Sequence, residues 1–439
     1  MIEALRNAFR LPDLRNKLLI TGLILIVYQF AAHVPVVGVD RVALQQLLSG
    51  NSGGLVGVLD LLSGGALRNF SVIANGVYPY ITAQIILQVL TPVIPALENL
   101  SKEPGGREKI ENYTYYLAIP MSILQTISQI QIFNTLSNGA SIIPGFGSDI
   151  LLTLTVIVTM TAGTMFAIWL GNLITEQGIG NGLSIIIFAG IVARAPERLV
   201  QLANSSTQPA FNIIAFAIIT IVSIVVIIFI QEGVRRIPVQ YGKRVRGRKQ
   251  YGGASTHIPM KVNPVGMIPL IFAQAIIAFP ALLVNLFPDG PLRTSITQTF
   301  GNQTGAVYWL TYFLLVVGFT FIYSDIMVGN QDLADNLQRN GGFIPGIRPG
   351  KRTHDYILRV TRRVTLIGAL FLGIIAVVPG IMDFVNRLLF PNEAVSGSAG
   401  NAAYVLTGSG LIIVVGVVID TMRQLEAQLV MRNYDRFMS

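Results

Sequence analysis

The stretch Gly53–Leu97, GGLVGVLDLLSGGALRNFSVIANGVYPYITAQIILQVLTPVIPAL, decides the fold. Its first part, Leu55–Leu67, is apolar, but it is short and interrupted by glycines and by Asp60. Its second part, Ile73–Ile94, is long enough to cross a bilayer, which takes about 20 apolar residues. Backbone that is not helical survives at membrane depth only where protein buries it or where it lines a water-filled cavity. The stretch predicts a half-length segment beside a full span, next to a cavity; the alternative is a surface amphipathic helix before an ordinary span.

The whole composition is that of an integral membrane protein. Of 439 residues, 52% are hydrophobic and only 12% are charged. There is no cysteine, and therefore no disulfide and no thiolate metal site. Apolar segments predict ten membrane spans, at roughly 18–37, 71–94, 114–134, 150–172, 179–193, 210–231, 264–287, 306–328, 364–381 and 404–422.

The basic residues give the orientation of these spans. With ten spans and both termini on one side, 25 of the 31 Lys and Arg residues lie on that side and 6 on the other. Cytoplasmic loops carry the excess of positive charge, so both termini are predicted to be cytoplasmic. The N-terminal arm has no small-residue cleavage site and is interpreted as a retained segment rather than a removed signal peptide.

Ten spans divide into five and five, and two related halves with an odd number of spans must be inverted. Inverted repeats place a pathway at the interface between them; ten unrelated helices remain the alternative. The predicted organisation is a cytoplasmic arm at 1–17, a first half at 18–203, a second half at 204–422 with cytoplasmic loops at 232–263 and 330–363, and a cytoplasmic tail at 423–439.

The spans contain almost no ionisable side chains. The only carboxylates within them are Asp325 and Asp420, each near a predicted cytoplasmic end. Ion-coupled carriers keep charged residues near mid-membrane, so this pattern argues against a coupled carrier. A helix-end or interhelix hydrogen bond is the simpler role for both aspartates. No catalytic, nucleotide or metal motif is found, which predicts no enzyme activity and no cofactor, and any energy must come from a partner or a gradient.

The two long cytoplasmic loops are basic. The first contains an alternating segment that resembles a twisted hairpin, and the second holds Arg348 on a stiff turn between two prolines. Flexible basic runs commonly bind anionic lipid headgroups, whereas a basic residue on a rigid turn suits docking to RNA phosphate or an acidic protein surface. Both possibilities stand for the docking candidates Lys243, Arg244, Arg246, Arg248, Lys249 and Arg348.

Four long motifs together resemble the SecY family, the channel subunits of bacterial Sec protein translocases. They are YPYITAQIILQ at 78–88, IGNGLSIIIFAGIV at 179–192, KRVRGRKQYGGASTHIPMKVN at 243–263 and GFIPGIRPG at 342–350, and the resemblance extends over the full length. It implies an all-α membrane protein whose ten spans form two inverted five-helix halves around an hourglass pore. It also implies a lateral gate between the second and seventh spans, and a re-entrant plug formed by Leu61, Leu62, Ser63, Gly64, Gly65, Ala66, Leu67, Arg68, Asn69 and Phe70.

The resemblance further implies a ring of isoleucines at the pore constriction. An apolar ring gates by dewetting and makes no strong bond to a passing chain. Composition does not single these residues out, because isoleucine is abundant and much of it faces lipid. The ring residues are Ile81, Ile85, Ile187, Ile191, Ile271 and Ile413. Polar residues in spans that border the gate could hydrogen-bond across it, or only locally; they are Gln88, Thr91, Gln125 and Gln274.

The function implied by the resemblance is passage of unfolded preproteins across the bacterial cytoplasmic membrane and insertion of membrane proteins into it. The implied partners are the membrane subunits SecE and SecG, the SecA ATPase, the ribosome, and the signal sequence of the substrate in the lipid bilayer. Two other classes of function remain as alternatives: a carrier of small solutes or ions, and a receptor for ribosomes that does not conduct.

Overall fold

A computed structural model describes residues 11–44, 63, 66–91, 94–136, 141–205, 209–241, 244–246, 249–251, 255–284, 290–296, 299–300, 305–329, 333–389 and 409–438. The helices in this part are α1 Pro12–Ala31, α2 Tyr78–Leu90, α3 Pro95–Lys102, α4 Gly106–Leu136, α5 Ile150–Gln177, α6 Gly182–Ser205, α7 Pro209–Glu232, α8 Ile268–Val284, α9 Pro291–Ile296, α10 Ala306–Gly329, α11 Leu333–Arg339, α12 Lys351–Leu389 and α13 Ser409–Met438. The strands are β1 Val234–Tyr241, β2 Arg244–Arg246, β3 Lys249–Tyr251, β4 Ser255–Lys261 and β5 Gly342–Phe343.

Each of the ten predicted spans overlaps one helix of the described chain: α1, α2, α4, α5, α6, α7, α8, α10, α12 and α13. By length and apolar composition alone, four of the described helices could cross a membrane, namely α1, α5, α10 and α12. A fifth is added if α2 and the bent segment Pro95–Ser101 form one span. The apolar parts of α6, α7 and α8 are shorter. The helical membrane fold is therefore confirmed, and the number ten stays a prediction.

The second span differs from its predicted bounds, because α2 begins at Tyr78 and not near residue 71. The preceding residues form turns, in which Gly76 has φ = 55°. They are held by a β-bridge between Pro35 and Ser71 and by the Val72 amide, which donates to the Val34 carbonyl at 2.9 Å. Pro79 then lies in the first turn of α2, where its missing N–H costs no helical hydrogen bond. Hydrophobicity predicts the depth of residues 71–77 but not their conformation.

Helices of the first predicted half pack against helices of the second along two seams. On one side α8 packs against α2 and α4, and on the other α6 packs against α7 and α13. Within the first half α4 and α5 pack together, and within the second α10 packs along α12. A single large cluster of buried apolar side chains runs through both halves.

The two predicted cytoplasmic loops fold together as one small unit. Strands β4, β1 and β5 form a three-stranded antiparallel sheet in that order, with Ile237 opposite Ile258 and Gln240 opposite Phe343. One face packs on α11 and the start of α12 through Val239, Leu337, Ile344 and other buried apolar residues. Because β1 lies in the first loop and β5 in the second, the sheet joins the loops mechanically.

Candidate functional site

The six isoleucines proposed for the constriction are all buried. Their side chains are between 0% and 7% exposed, and all belong to the one buried cluster that runs through both halves. They come from four helices of both halves: Ile81 and Ile85 from α2, Ile187 and Ile191 from α6, one from α8 and one from α13. Residues four apart on a helix lie on one face, so α2 and α6 each present two isoleucines in successive turns.

A cavity of about 720 Å³ opens beside this cluster. Ile81, Ile187 and Ile271 lie in its apolar part. Its other wall carries Lys261 at the end of β4 and Asp420 on α13, both close to the predicted cytoplasmic loops. The lining comes from both halves, including α2, α4, α5, α6, α8 and α13. This cavity, called the vestibule below, is thus lined by polar side chains together with three of the six isoleucines.

The vestibule wall carries polar and charged side chains among apolar ones. Asn172 of α5 donates to the Tyr115 hydroxyl at 2.7 Å, and that hydroxyl donates to Glu111 Oε1 at 3.1 Å, which ties α5 to α4. At the α13 side, Arg423 donates to Glu232 Oε1 at 2.8 Å, so its charge is paired with the end of α7. Hydrogen-bonded polar and charged side chains therefore form part of the vestibule wall.

The predicted plug can be followed at Ser63 and from Ala66 onward; Leu61, Leu62, Gly64 and Gly65 lie outside the described residues. Leu67–Asn69 form one turn of 3₁₀ helix. Ala66, Leu67 and Phe70 are fully buried in the same apolar cluster as the isoleucines. The part of the plug that the structure describes is thus packed inside the bundle and not on its surface.

Specific contacts fix this segment against α1 and α4. The Tyr28 hydroxyl of α1 donates to the Ser63 carbonyl at 2.7 Å, and the Val36 amide donates to the Phe70 carbonyl at 3.0 Å. Phe70 has φ = 41°, a conformation that is uncommon for a bulky side chain. Its ring packs edge-on against Phe133 of α4, with ring centroids 5.5 Å apart. Packing and backbone pairing together hold Phe70 in a strained conformation.

The seam between α2 and α8, where a lateral gate is expected, is crossed by one hydrogen bond that the sequence did not indicate. The buried Tyr78 hydroxyl at the start of α2 donates to the Ala275 carbonyl of α8 at 2.9 Å. A backbone carbonyl has no signature in the sequence, so this contact could not be predicted. It is a direct polar tie across the seam.

The four polar residues proposed for the gate have different surroundings. Gln125 and Gln274 are buried. Gln88 makes a side-chain contact with Tyr323 of α10. The Thr91 hydroxyl donates to the Leu87 carbonyl at 2.7 Å, so it bonds within its own helix and not across the gate. The described residues thus leave Tyr78 as the clearest bond across the seam.

The docking candidates lie on the loop unit. Arg244 and Arg246 are on β2 and Lys249 is on β3, and the pairing of Arg246 with Lys249 makes the expected hairpin. Lys243 and Arg248 lie outside the described residues. Arg348 is exposed on the turn after β5, where the Thr353 hydroxyl donates to its carbonyl at 3.0 Å. The hairpin forms a sheet of its own between β1 and β4 in the chain, and the turn with Arg348 follows β5 of the three-stranded sheet.

Asp325 has an interhelix hydrogen-bond partner, which is one of the roles expected for it from the sequence. Arg362 of α12 donates from Nε to Asp325 Oδ1 at 3.3 Å and from its terminal nitrogen to Oδ2 at 3.1 Å. Among the residues that the structure describes, no group of three or more His, Asp or Glu side chains could hold a metal ion. These features define a helical membrane protein with a cavity, lined partly by polar side chains, beside a buried apolar cluster.

Comparisons with known proteins agree with this class. The model of the SecY family matches residues 71–422. The chain is 41% identical to the protein translocase subunit SecY of Streptomyces galbus and 40% identical to that of Halalkalibacterium halodurans, each alignment covering 100% of both chains. The chain belongs to the SecY family.

Solved structures show the same fold. A structure described as a protein-conducting channel aligns with a TM-score of 0.62 at 18% identity, covering 95% of this chain and 93% of that one. Sec61 in a canine ribosome–channel complex from the endoplasmic reticulum aligns with a TM-score of 0.60 at 17% identity, covering 95% and 93%. The fold is therefore shared with relatives of low sequence identity.

Proposed function

We propose that this chain is the channel-forming subunit of a protein translocase, which passes unfolded polypeptides across the cytoplasmic membrane and releases apolar segments into lipid. It acts as a channel and not as an enzyme. The observation that carries the proposal is the pairing of a polar vestibule of about 720 Å³ with six buried isoleucines from both halves.

The chemistry of the substrate explains this design. An unfolded polypeptide carries unpaired amides, each of which costs several kcal/mol in hydrocarbon, so it needs a hydrated path. The polar wall around Asn172 and Asn181 supplies that path. A ring of isoleucines holds no charge and makes no hydrogen bond, so it can seal against ions and still let any side chain slide through.

The lateral gate is proposed at the seam between α2 and α8. The seam between α6 and α7 joins consecutive elements, which makes it the natural hinge. Tyr78 and Ala275 are 197 residues apart in the chain, and a hydrogen bond between them crosses the opposite seam. An apolar signal helix that prefers lipid could displace so small a tie, since interhelical hydrogen bonds are worth about 0.6–2 kcal/mol.

The loop unit is the proposed docking platform for what drives transport. Its hairpin carries Arg244 and Arg246, and its turn presents Arg348. A rigid, basic surface suits ribosomal RNA or an acidic face of a motor such as SecA. We further propose SecE and SecG as membrane partners, two inverted five-helix halves, and a bacterial inner-membrane location with both termini in the cytoplasm, as the excess of basic residues on that side supports.

The test is reconstitution of transport. Purified chain with SecE, placed in vesicles with SecA and ATP, should protect a signal-bearing precursor from external protease. The matched control is the same precursor without its signal sequence, which should stay degradable. If the precursor remains fully degradable while a known channel imports it under the same conditions, the proposed function fails.

A further inference from the structure

A second cavity, of about 470 Å³, lies on the outer side of α10 and α12, away from the vestibule. Its upper part is formed by Arg359, Arg362 and Arg363 of α12, with Asp355 at its edge. Three apolar side chains also line it: Phe321 of α10, and Leu358 and Leu366 of α12, of which Leu366 follows the arginines along the helix. Its lining includes none of the residues proposed above for the isoleucine ring, the gate or docking.

The cavity lies where α12 changes from polar to apolar. Leu366 and Ile367 are 48% and 58% exposed, and Ile322 on α10 is 52% exposed. Such exposed apolar side chains on predicted spans face lipid tails. The three arginines lie within two turns of Leu366, on the side of α12 that leads to its cytoplasmic start. They are therefore placed at the level of lipid headgroups.

The charges of the cavity are unevenly paired. Asp325 holds Arg362 through two hydrogen bonds, which raise the pKa of that guanidinium and fix its position. Asp355 lies 3.7 Å from His354. Within the described ranges, Arg359 and Arg363 make no ion pair or side-chain hydrogen bond that would neutralise them. Being four residues apart, they project from one face of α12.

We infer that this cavity binds the headgroup of an anionic phospholipid from the cytoplasmic leaflet. Arg359 and Arg363 would share the phosphate, because the planar guanidinium matches phosphate oxygens in pairs. The acyl chains would run down over Phe321 and Leu366. Basic pockets between membrane helices on the cytoplasmic side favour such headgroups, and a free anion would gain nothing from the apolar floor.

Native mass spectrometry of the purified full chain in detergent tests this inference. The probes are phosphatidylglycerol and phosphatidylcholine with identical acyl chains. The wild type should retain phosphatidylglycerol in preference to phosphatidylcholine. Replacing Arg359→Gln and Arg363→Gln together should remove the preference, with a loss of roughly five-fold for each charge. Replacing both by lysine should restore part of it.

The matched control is the double change Arg339→Gln and Arg352→Gln, which removes two exposed arginines outside the cavity. It should leave the preference for phosphatidylglycerol unchanged. Equal retention of phosphatidylglycerol by the Arg359/Arg363 variant and the wild type would overturn the inference and leave these arginines to a protein partner. Full displacement of the lipid by an equal concentration of inorganic phosphate would also overturn it, because the site would then bind a free anion.

Discussion

At the scale of single residues, the buried side chains near the seam have two proposed roles: some close the pore, and others hold the helices together across the seam. The six isoleucines seal by shape, and all of them are buried. Tyr78 ties α2 to α8 through one hydroxyl. Sequence could indicate the isoleucines through the resemblance to the SecY family, but the acceptor of Tyr78 is a main-chain oxygen that any residue would supply.

The change Tyr78→Phe removes this hydroxyl and keeps the ring. A buried hydrogen bond contributes about 1 kcal/mol, so the closed gate should lose roughly a factor of five in population relative to the open one. We expect reconstituted channels to import a precursor with a weakened signal sequence roughly five-fold more efficiently. Thr91→Val is the matched control, because the Thr91 hydroxyl bonds only its own helix among the described contacts. Equal import by both variants would contradict the role of Tyr78.

At the scale of elements, the sheet β4–β1–β5 shows what sequence reasoning could and could not reach. The basic hairpin β2–β3 was predicted from its alternating charges and is confirmed. Strand β5 is only Gly342–Phe343, and its partner β1 lies about a hundred positions earlier in the chain. No local sequence pattern therefore predicts that these two strands pair. The same limit applies to α2, whose start depends on a bridge to Pro35 and not on local hydrophobicity.

The change Gly342→Val tests whether the sheet couples the two loops. A Cβ at Gly342 would lie 3.0 Å from Tyr241 Cε1 and 3.2 Å from Leu337 Cδ2. Overpacking of this kind costs about 1–3 kcal/mol and should loosen β5 from β1. We expect sedimentation with bacterial ribosomes to fall several-fold, as it should for Arg348→Glu.

The matched control is Gly318→Val on α10, where a Cβ meets nothing within 4 Å. This change should leave both ribosome binding and thermal stability as in the wild type. Unchanged ribosome binding by the Gly342 variant, with the Arg348 variant impaired, would show that the turn docks without support from the sheet.

At the scale of the whole molecule, two bundles meet along two unlike seams. One seam joins neighbours in the chain, α6 and α7, and the other joins α8 to α2 and α4. The vestibule and the isoleucines lie between these seams, with residues from both bundles. The approximate positions of these helices followed from hydrophobicity, because apolar length is a property of sequence alone, although α2 begins later than predicted. Their assembly around one passage did not follow from it, because that depends on which faces meet.

The path of the substrate can be traced directly, because the chain contains no cysteine. A precursor carrying one cysteine is arrested halfway through channels with a single cysteine at Ile187 or Ile413, and a mild oxidant is added. Disulfides should form at these two buried positions and not at Ile322 or Ile367, whose side chains are 52% and 58% exposed. Disulfides at Ile322 or Ile367, with none at Ile187 and Ile413, would show that polypeptides do not pass between the two halves.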